Sequence, residues 1–215
     1  RKFIFKNDIF WSDSNSFLSK EDSILQKKLP VLTRMEYQLE RSGISDRKFT
    51  KKPDLTWALR NIGSIVNQNF EGKYILIFPF CSPKLHKKKW PYYNDLIKLF
   101  SDKFSDEYKI VTAPGPHEIN EAKKINATTI LNNDKALNIS QLTALIKDSS
   151  FVVANDTGPA HIAAHTGVKG LTLFGKHTTA IKVSIEREKF KAIQVSDLNN
   201  LSAVKVFERI SYILD

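Results

Sequence analysis

The 215 residues carry 41% apolar side chains and a formal net charge of +10, which allows one large domain, or one domain plus part of another, with a sizeable core and excludes global disorder. A single cysteine, Cys81, excludes an intrachain disulfide framework and a multi-cysteine metal site and points to a reducing, cytoplasmic compartment. No apolar run approaches the roughly 18 to 20 residues needed to cross a bilayer, and no secretory pattern opens the chain.

The chain begins with Arg1 rather than Met, so upstream sequence is expected to be missing. Residues 1–72 have their own rhythm: Lys2–Phe5 reads as a strand, Pro30–Arg41 as a helix stopped by Ser42 and Gly43, Ser45–Lys52 as a polar connector, and Leu55–Asn69 as a second helix. From Lys73 onward, short apolar runs alternate with periodic stretches. Strands are expected at Tyr74–Phe78, Tyr108–Thr112, Thr129–Leu131, Phe151–Ala154, Gly170–Phe174 and Ala192–Val195. Helices are expected at Tyr92–Phe104, His117–Ile125, Ile139–Lys147, Pro159–Thr166 and Leu201–Leu214. Such alternation builds βαβ units, so residues 73–215 are expected to form a doubly wound, Rossmann-like α/β domain on a mainly parallel sheet.

Ligands of open α/β sheets bind outside the carboxyl ends of the strands, near a topological switch point. Three segments leave strands at that edge. Pro79–Trp90 (PFCSPKLHKKKW) brings Lys84, Lys87, Lys88 and Lys89 to the rim, where ammonium groups can neutralise a diphosphate or simply be solvated. Ala113–Glu118 (APGPHE) offers a carboxylate that can accept from ribose hydroxyls, or complement the dipole of a helix start.

Asn155–His161 (NDTGPAH) ends a strand and opens a helix. Thr157 or Asp156 can cap it, Gly158 permits close approach to the backbone, and Pro159 suits a first helical position. The first-turn N–H groups and the positive end of the dipole then face an anion such as a phosphate. His161 and His165 lie four apart on one face behind Asp156, so a metal-dependent hydrolase built on these three is an open reading, although no His-Glu-x-x-His pattern occurs. The basic charge leaves a third reading open, a nucleotide- or nucleic-acid-binding module. Against it, the aromatics sit inside strand and helix patterns rather than on a stacking platform.

DTGPAHIAAHTGVKGLTLFG resembles the signature of glycosyltransferase family 9, which includes the ADP-heptose:lipopolysaccharide heptosyltransferases. ILIFPFCSPKLHKKKWP and VTAPGPHEINEAKKI resemble two further blocks of that family, in its order and spacing. The resemblance covers residues 73–200, and weakly the helical stretch PVLTRMEYQLERSGI.

It implies a GT-B architecture of two Rossmann-like domains, with residues 1–72 as the end of the acceptor domain plus linker and 73–215 as the second, nucleotide-sugar-binding domain. It further implies inverting, metal-independent transfer from a nucleotide-diphosphate sugar, ADP-heptose, to a lipopolysaccharide-type acceptor, with no cofactor and no nucleic-acid partner. A monomer is expected, with the basic surface turned to a phosphorylated or lipid-linked acceptor at the inner face of the membrane. By the same resemblance Lys88 would contact the donor phosphates and Glu118 the ribose. Thr157 and Gly158 would meet the diphosphate through backbone N–H groups, Asp156 and His161 the sugar or its phosphate, and Ser82 would line the donor site. The chain departs from the family at Gly175-Lys176-His177-Thr178-Thr179, where Gly-Pro-Thr-Asp/Ser-Pro is frequent, and at Lys169, where proline is common. The general base is expected in the first domain, so the 215 residues alone should bind donor weakly without turning it over.

Overall fold

A computed structural model describes residue 24 and residues 27–41, 53–104 and 107–214. The expected strand at Lys2–Phe5 and connector at Ser45–Lys52 lie outside the described residues. The chain divides into two compact units, one of residues 1–54 with Ile181–Ser184, the other of Leu55–Ala180 with Ile185–Asp215. In the described part of the first unit, helix α1 (Val31–Arg41) meets the 181–184 segment: the Leu32 N–H donates to Ser184 Oγ (3.3 Å), and Lys182 Nζ donates to the carbonyls of Leu29 and Lys27.

The second unit holds six parallel strands in the order β3-β2-β1-β4-β5-β6. They are β1 (Tyr74–Phe78), β2 (Lys109–Thr112), β3 (Thr128–Thr129), β4 (Phe151–Asn155), β5 (Gly170–Phe174) and β6 (Phe190–Gln194). β1, β4 and β5 are buried along their whole length, which is why they read as continuous apolar runs, whereas the edge strand β6 is buried only in part. The chain order reverses between β1 and β4, and this is the switch point of the sheet.

On one face Ile75, Ile77, Phe151, Val153, Leu171 and Leu173 pack beneath the helices Tyr93–Phe104 and Ala203–Leu214, which meet through Phe100 and Phe207 edge to face at 5.2 Å. The other face carries the helices Ile139–Asp148 and Gly158–Thr166, and the buried Tyr74 hydroxyl donates to the Leu145 carbonyl (2.7 Å). Each fully buried Leu, Ile or Phe contributes about 1.5–3 kcal/mol. Helix 139–148 starts on a capping box, with Asn138 accepting from the Gln141 N–H and Gln141 accepting in return from the Asn138 N–H.

Several expectations shift, among them β3, which lies at Thr128–Thr129 rather than Thr129–Leu131. The helix expected over Leu55–Asn69 splits into a 3-10 turn at Thr56–Ala58 and a short helix at Gly63–Asn67, because Leu59 is extended and Asn61 Oδ1 takes the Gly63 N–H. The helix expected over His117–Ile125 shortens to Ile119–Ala122. The lysine-rich loop is wound into 3-10 turns over Pro83–Lys88 with a kink at Leu85. β6 begins at Phe190 rather than Ala192, since Phe190 pairs with Gly170, where any Cβ would stand 2.4 Å from the phenylalanine ring.

Candidate functional site

Asn155, the last residue of β4, is fully buried. Its side-chain amide donates to the carbonyls of Pro79 (2.9 Å) and Phe80 (3.4 Å), while its oxygen accepts from the Trp90 N–H (3.2 Å) and the Tyr93 hydroxyl (3.3 Å). All four hydrogen-bonding positions are used, so one side chain pins both ends of the loop after β1 to the end of β4. Trp90 is anchored from its other side by its indole N–H on the Leu201 carbonyl (2.8 Å). Reading the sequence singled out the neighbours of Asn155 and missed this tie, whose only sequence signal is a polar residue closing an apolar strand.

With that loop pinned, the three segments meet. Phe80, Cys81, Ser82, Leu85 and Lys88 from the first, Glu118 from the second, and Asp156 to Pro159 from the third line one cleft of about 430 Å³ at the switch point. Lys88, Glu118, Thr157, Gly158 and Ser82 therefore share a hollow, as the sequence led us to expect. His161 stands just behind it, with Nε2 3.7 Å from Asp156 Oδ1.

Asp156 is the electrostatic centre. Its side chain is only 4% exposed, and Oδ2 receives Lys88 Nζ at 2.7 Å and His177 Nε2 at 3.1 Å. Burial alone would raise its carboxyl, but the contacts to His161 and Lys88, the Lys88 charge and the His177 bond outweigh it and hold the group well below the usual carboxylate range. The other lysines of the loop divide: Lys89 pairs with Glu121, while Lys84 and Lys87 are exposed.

Thr157 is the N-cap of helix 158–166, but its hydroxyl turns back to the Asn155 carbonyl (3.3 Å) and makes no side-chain cap bond. The capping expected of Thr157 or Asp156 is thus not made; Asp156 is engaged with Lys88 and His177 instead. Pro159 has no N–H, and the Ala160 and His161 N–H groups are taken up by the Thr157 carbonyl (3.1 and 3.4 Å), so the helix start offers the cleft the backbone of Thr157 and Gly158, which line it. A Cβ at Gly158 would meet nothing within 4 Å, so no packing demands glycine there. The open space suits close approach of a ligand to the backbone. Glu118 folds over its own loop, one carboxylate oxygen accepting the Gly115 N–H at 2.8 Å, and still lines the cleft.

His165 does not join this site. Its Nε2 lies 3.4 Å from an Arg187 nitrogen, and burial, then the Arg187 and His161 charges, push its pKa down to about 4. An imidazole held against a guanidinium is a poor metal ligand, so the Asp156, His161, His165 hydrolase is not assembled. Among the described residues no other group of three His, Cys, Asp or Glu converges as a metal site. Lys169, the second departure, donates to the Ile213 carbonyl (3.1 Å) at the end of helix 203–214 and serves packing away from the cleft.

The sequence profile of Glycosyltransferase family 9 (heptosyltransferase) matches residues 28–205. The lipopolysaccharide core heptosyltransferase OpsX of Haemophilus influenzae is 32% identical over 118 residues, covering 51% of this chain and 32% of the relative. E. coli heptosyltransferase WaaC with ADP shares the fold at a TM-score of 0.63 and 20% identity, over 84% of this chain and 56% of that one. E. coli ADP-heptose lps heptosyltransferase II does so at 0.63 and 18%, over 92% and 64%. A family 9 glycosyl transferase from Veillonella parvula does so at 0.64 and 15%, over 83% and 58%. The chain spans about a third of the curated relative and less than two thirds of these solved structures.

Proposed function

The chain belongs to glycosyltransferase family 9, and from that premise we propose that it carries the donor half of an inverting, metal-independent GT-B enzyme. The enzyme moves a sugar from a nucleotide diphosphate, ADP-heptose, to a lipopolysaccharide-type acceptor. The observation that carries this reading is the single cleft in which Lys88, Glu118, Asp156 and the Thr157-Gly158 helix start converge at the switch point. Residues 73–215 are the donor domain in this proposal. Residues 1–72 are the end of the acceptor domain plus a linker, whose stretch from Leu55 folds onto the donor domain.

The diphosphate lies along the helix start, where the Thr157 and Gly158 backbone and the positive end of the dipole favour negative charge. Lys88 Nζ exchanges part of its contact with Asp156 for a phosphate oxygen, Glu118 accepts from the ribose, and Ser82 borders the same wall. Asp156 and His161 meet the sugar. As the bond from C1 to the phosphate oxygen breaks, the charge growing on the leaving diphosphate is met by Lys88 and the backbone amides already in place. The acceptor hydroxyl attacks the opposite face of C1, giving inversion, and its proton passes to a base on the acceptor domain.

No described helix is long and apolar enough to cross a membrane. The exposed Lys84, His86 and Lys87 beside the cleft suit a phosphorylated, lipid-linked acceptor at the inner membrane face, with the enzyme acting as a monomer in the cytoplasm. A thermal-shift panel of ADP-, UDP- and GDP-sugars tests the donor assignment. ADP-heptose should give the largest shift, and a UDP- or GDP-sugar stabilising more than any ADP compound would overturn it.

A further inference from the structure

His177 lies on the loop after β5, and the sequence marked it only as a departure from the family pattern. Its side chain is 3% exposed and stacks on Phe174, ring centroids 6.0 Å apart at 15°. The loop is fixed by Gln194, whose amide donates to the carbonyls of Gly175 (2.8 Å) and Thr178 (3.2 Å). The ring thereby meets Asp156 without itself lining the cleft.

An ionised carboxylate only accepts, so the 3.1 Å contact requires the proton on Nε2. Nδ1 is buried without a hydrogen-bond partner, and a second proton there would be an orphaned donor. The charged groups facing the ring are Asp156, Lys88 and Lys87; burial, the largest influence, lowers its pKa, Asp156 opposes and the two lysines assist. His177 is a neutral Nε2–H donor.

Asp156 Oδ2 thus holds two donors, Lys88 and His177, of which only Lys88 lines the cleft. A diphosphate would compete with this almost fully buried carboxylate for the Lys88 ammonium, and weakening the partner of such a group is costly. With His177 still bound to Oδ2 and His161 near Oδ1, the carboxylate stays ionised and fixed when Lys88 turns away. We propose that His177 is a positioning residue that holds Asp156 so that Lys88 can be handed from the carboxylate to the donor diphosphate. The proposal rests on the donor reading above.

The test uses the full-length protein with ADP and adenosine as probes, comparing wild type, His177→Phe and His177→Gln by calorimetry, with ¹⁵N NMR of the histidine tautomers. His177→Phe removes a charge-assisted bond and should weaken ADP about 10-fold or more while leaving adenosine unchanged. His177→Gln, whose amide N–H replaces Nε2–H, should recover ADP binding to within about 3-fold of wild type. The wild-type ring should show the Nε2–H tautomer.

An Nδ1–H tautomer overturns the proposal, as does an ADP affinity that survives His177→Phe. Equal losses of ADP and adenosine in both variants make His177 a structural residue and overturn it too. A wild-type protein that binds no ADP overturns the donor reading instead, and the tautomer measurement still reports whether His177 holds Asp156.

Discussion

His161 and His165 stand one turn apart on the same face of one helix, in opposite surroundings. His161, at the helix start, looks toward an ionised aspartate; His165, one turn on, is wedged against Arg187 with Nδ1 buried and unpartnered. The helix itself supplies the spacing and nothing more. What separates the two ends is the neighbouring structure, Asp156 after β4 beside His161 and Arg187 before β6 beside His165. The rim gathers charge that a ligand can use, and the stem, partly buried beside a guanidinium, keeps its histidine neutral.

The sharpest way to break this contrast is at the rim. Lys88→Ala in the full-length enzyme should lower the turnover rate by about 10²–10³, the cost of losing one preorganised donor to a developing anion. Near wild-type rates in a steady-state transfer assay would remove Lys88 from the reaction. Asn155→Ala tests whether the rim is built by a single tie. It leaves the Trp90 N–H and two loop carbonyls without their partner, so urea denaturation should show a loss of about 2–4 kcal/mol, with ADP binding reduced in parallel. Unchanged stability would mean that the loop after β1 is held by other contacts.

The stem is tested by pH. His165 has a folded-state pKa of about 4 against 6.5 for the ordinary imidazole, so between those values the unfolded chain binds a proton that the folded chain refuses. Its contribution is complete above pH 6.5 and declines as the pH falls toward 4; His177, also lowered, adds in the same sense. Asp156 adds in the same sense at lower pH: its depressed pKa gives a contribution that is complete above the usual carboxylate range and is lost progressively as the pH falls through and below it. His165→Gln should therefore flatten the stability-versus-pH curve between pH 6.5 and 4 by about one proton, read from denaturation midpoints across that range. An unaltered slope would show that the stem does not hold His165 neutral. The smallest effect is expected at Glu118: Glu118→Gln should narrow the preference for ADP over its 2′-deoxy analogue by a few-fold, on the order of 1 kcal/mol, measurable by competition binding. No change would move the ribose elsewhere.

Much of the fold was legible because it rests on local pattern. β1 and β5 were placed to the residue, and β4 to within one, since buried parallel strands must be apolar throughout. The edge strand β6 and the two-residue β3 were placed less well, because partial burial breaks the run and the pairing partner sets the register: Phe190 begins β6 on account of the missing Cβ of Gly170. The site was legible where a residue type follows a strand into a turn, as with Glu118 and Asp156-Thr157-Gly158. It was illegible where a residue acts through a partner distant in sequence, as with Asn155 on Trp90 and His177 on Asp156.

The sequence by itself determined a parallel α/β domain and the three strand-ending turns that carry its polar groups, because strand burial and helix starts are written within a few neighbouring residues. Tertiary structure alone decided which of those groups meet, that Asp156 is shared by Lys88 and His177, and that of two histidines on one helix face one stands by Asp156 and the other by Arg187. Those outcomes depend on the order of strands in the sheet and on the low dielectric between them, which a linear pattern does not specify.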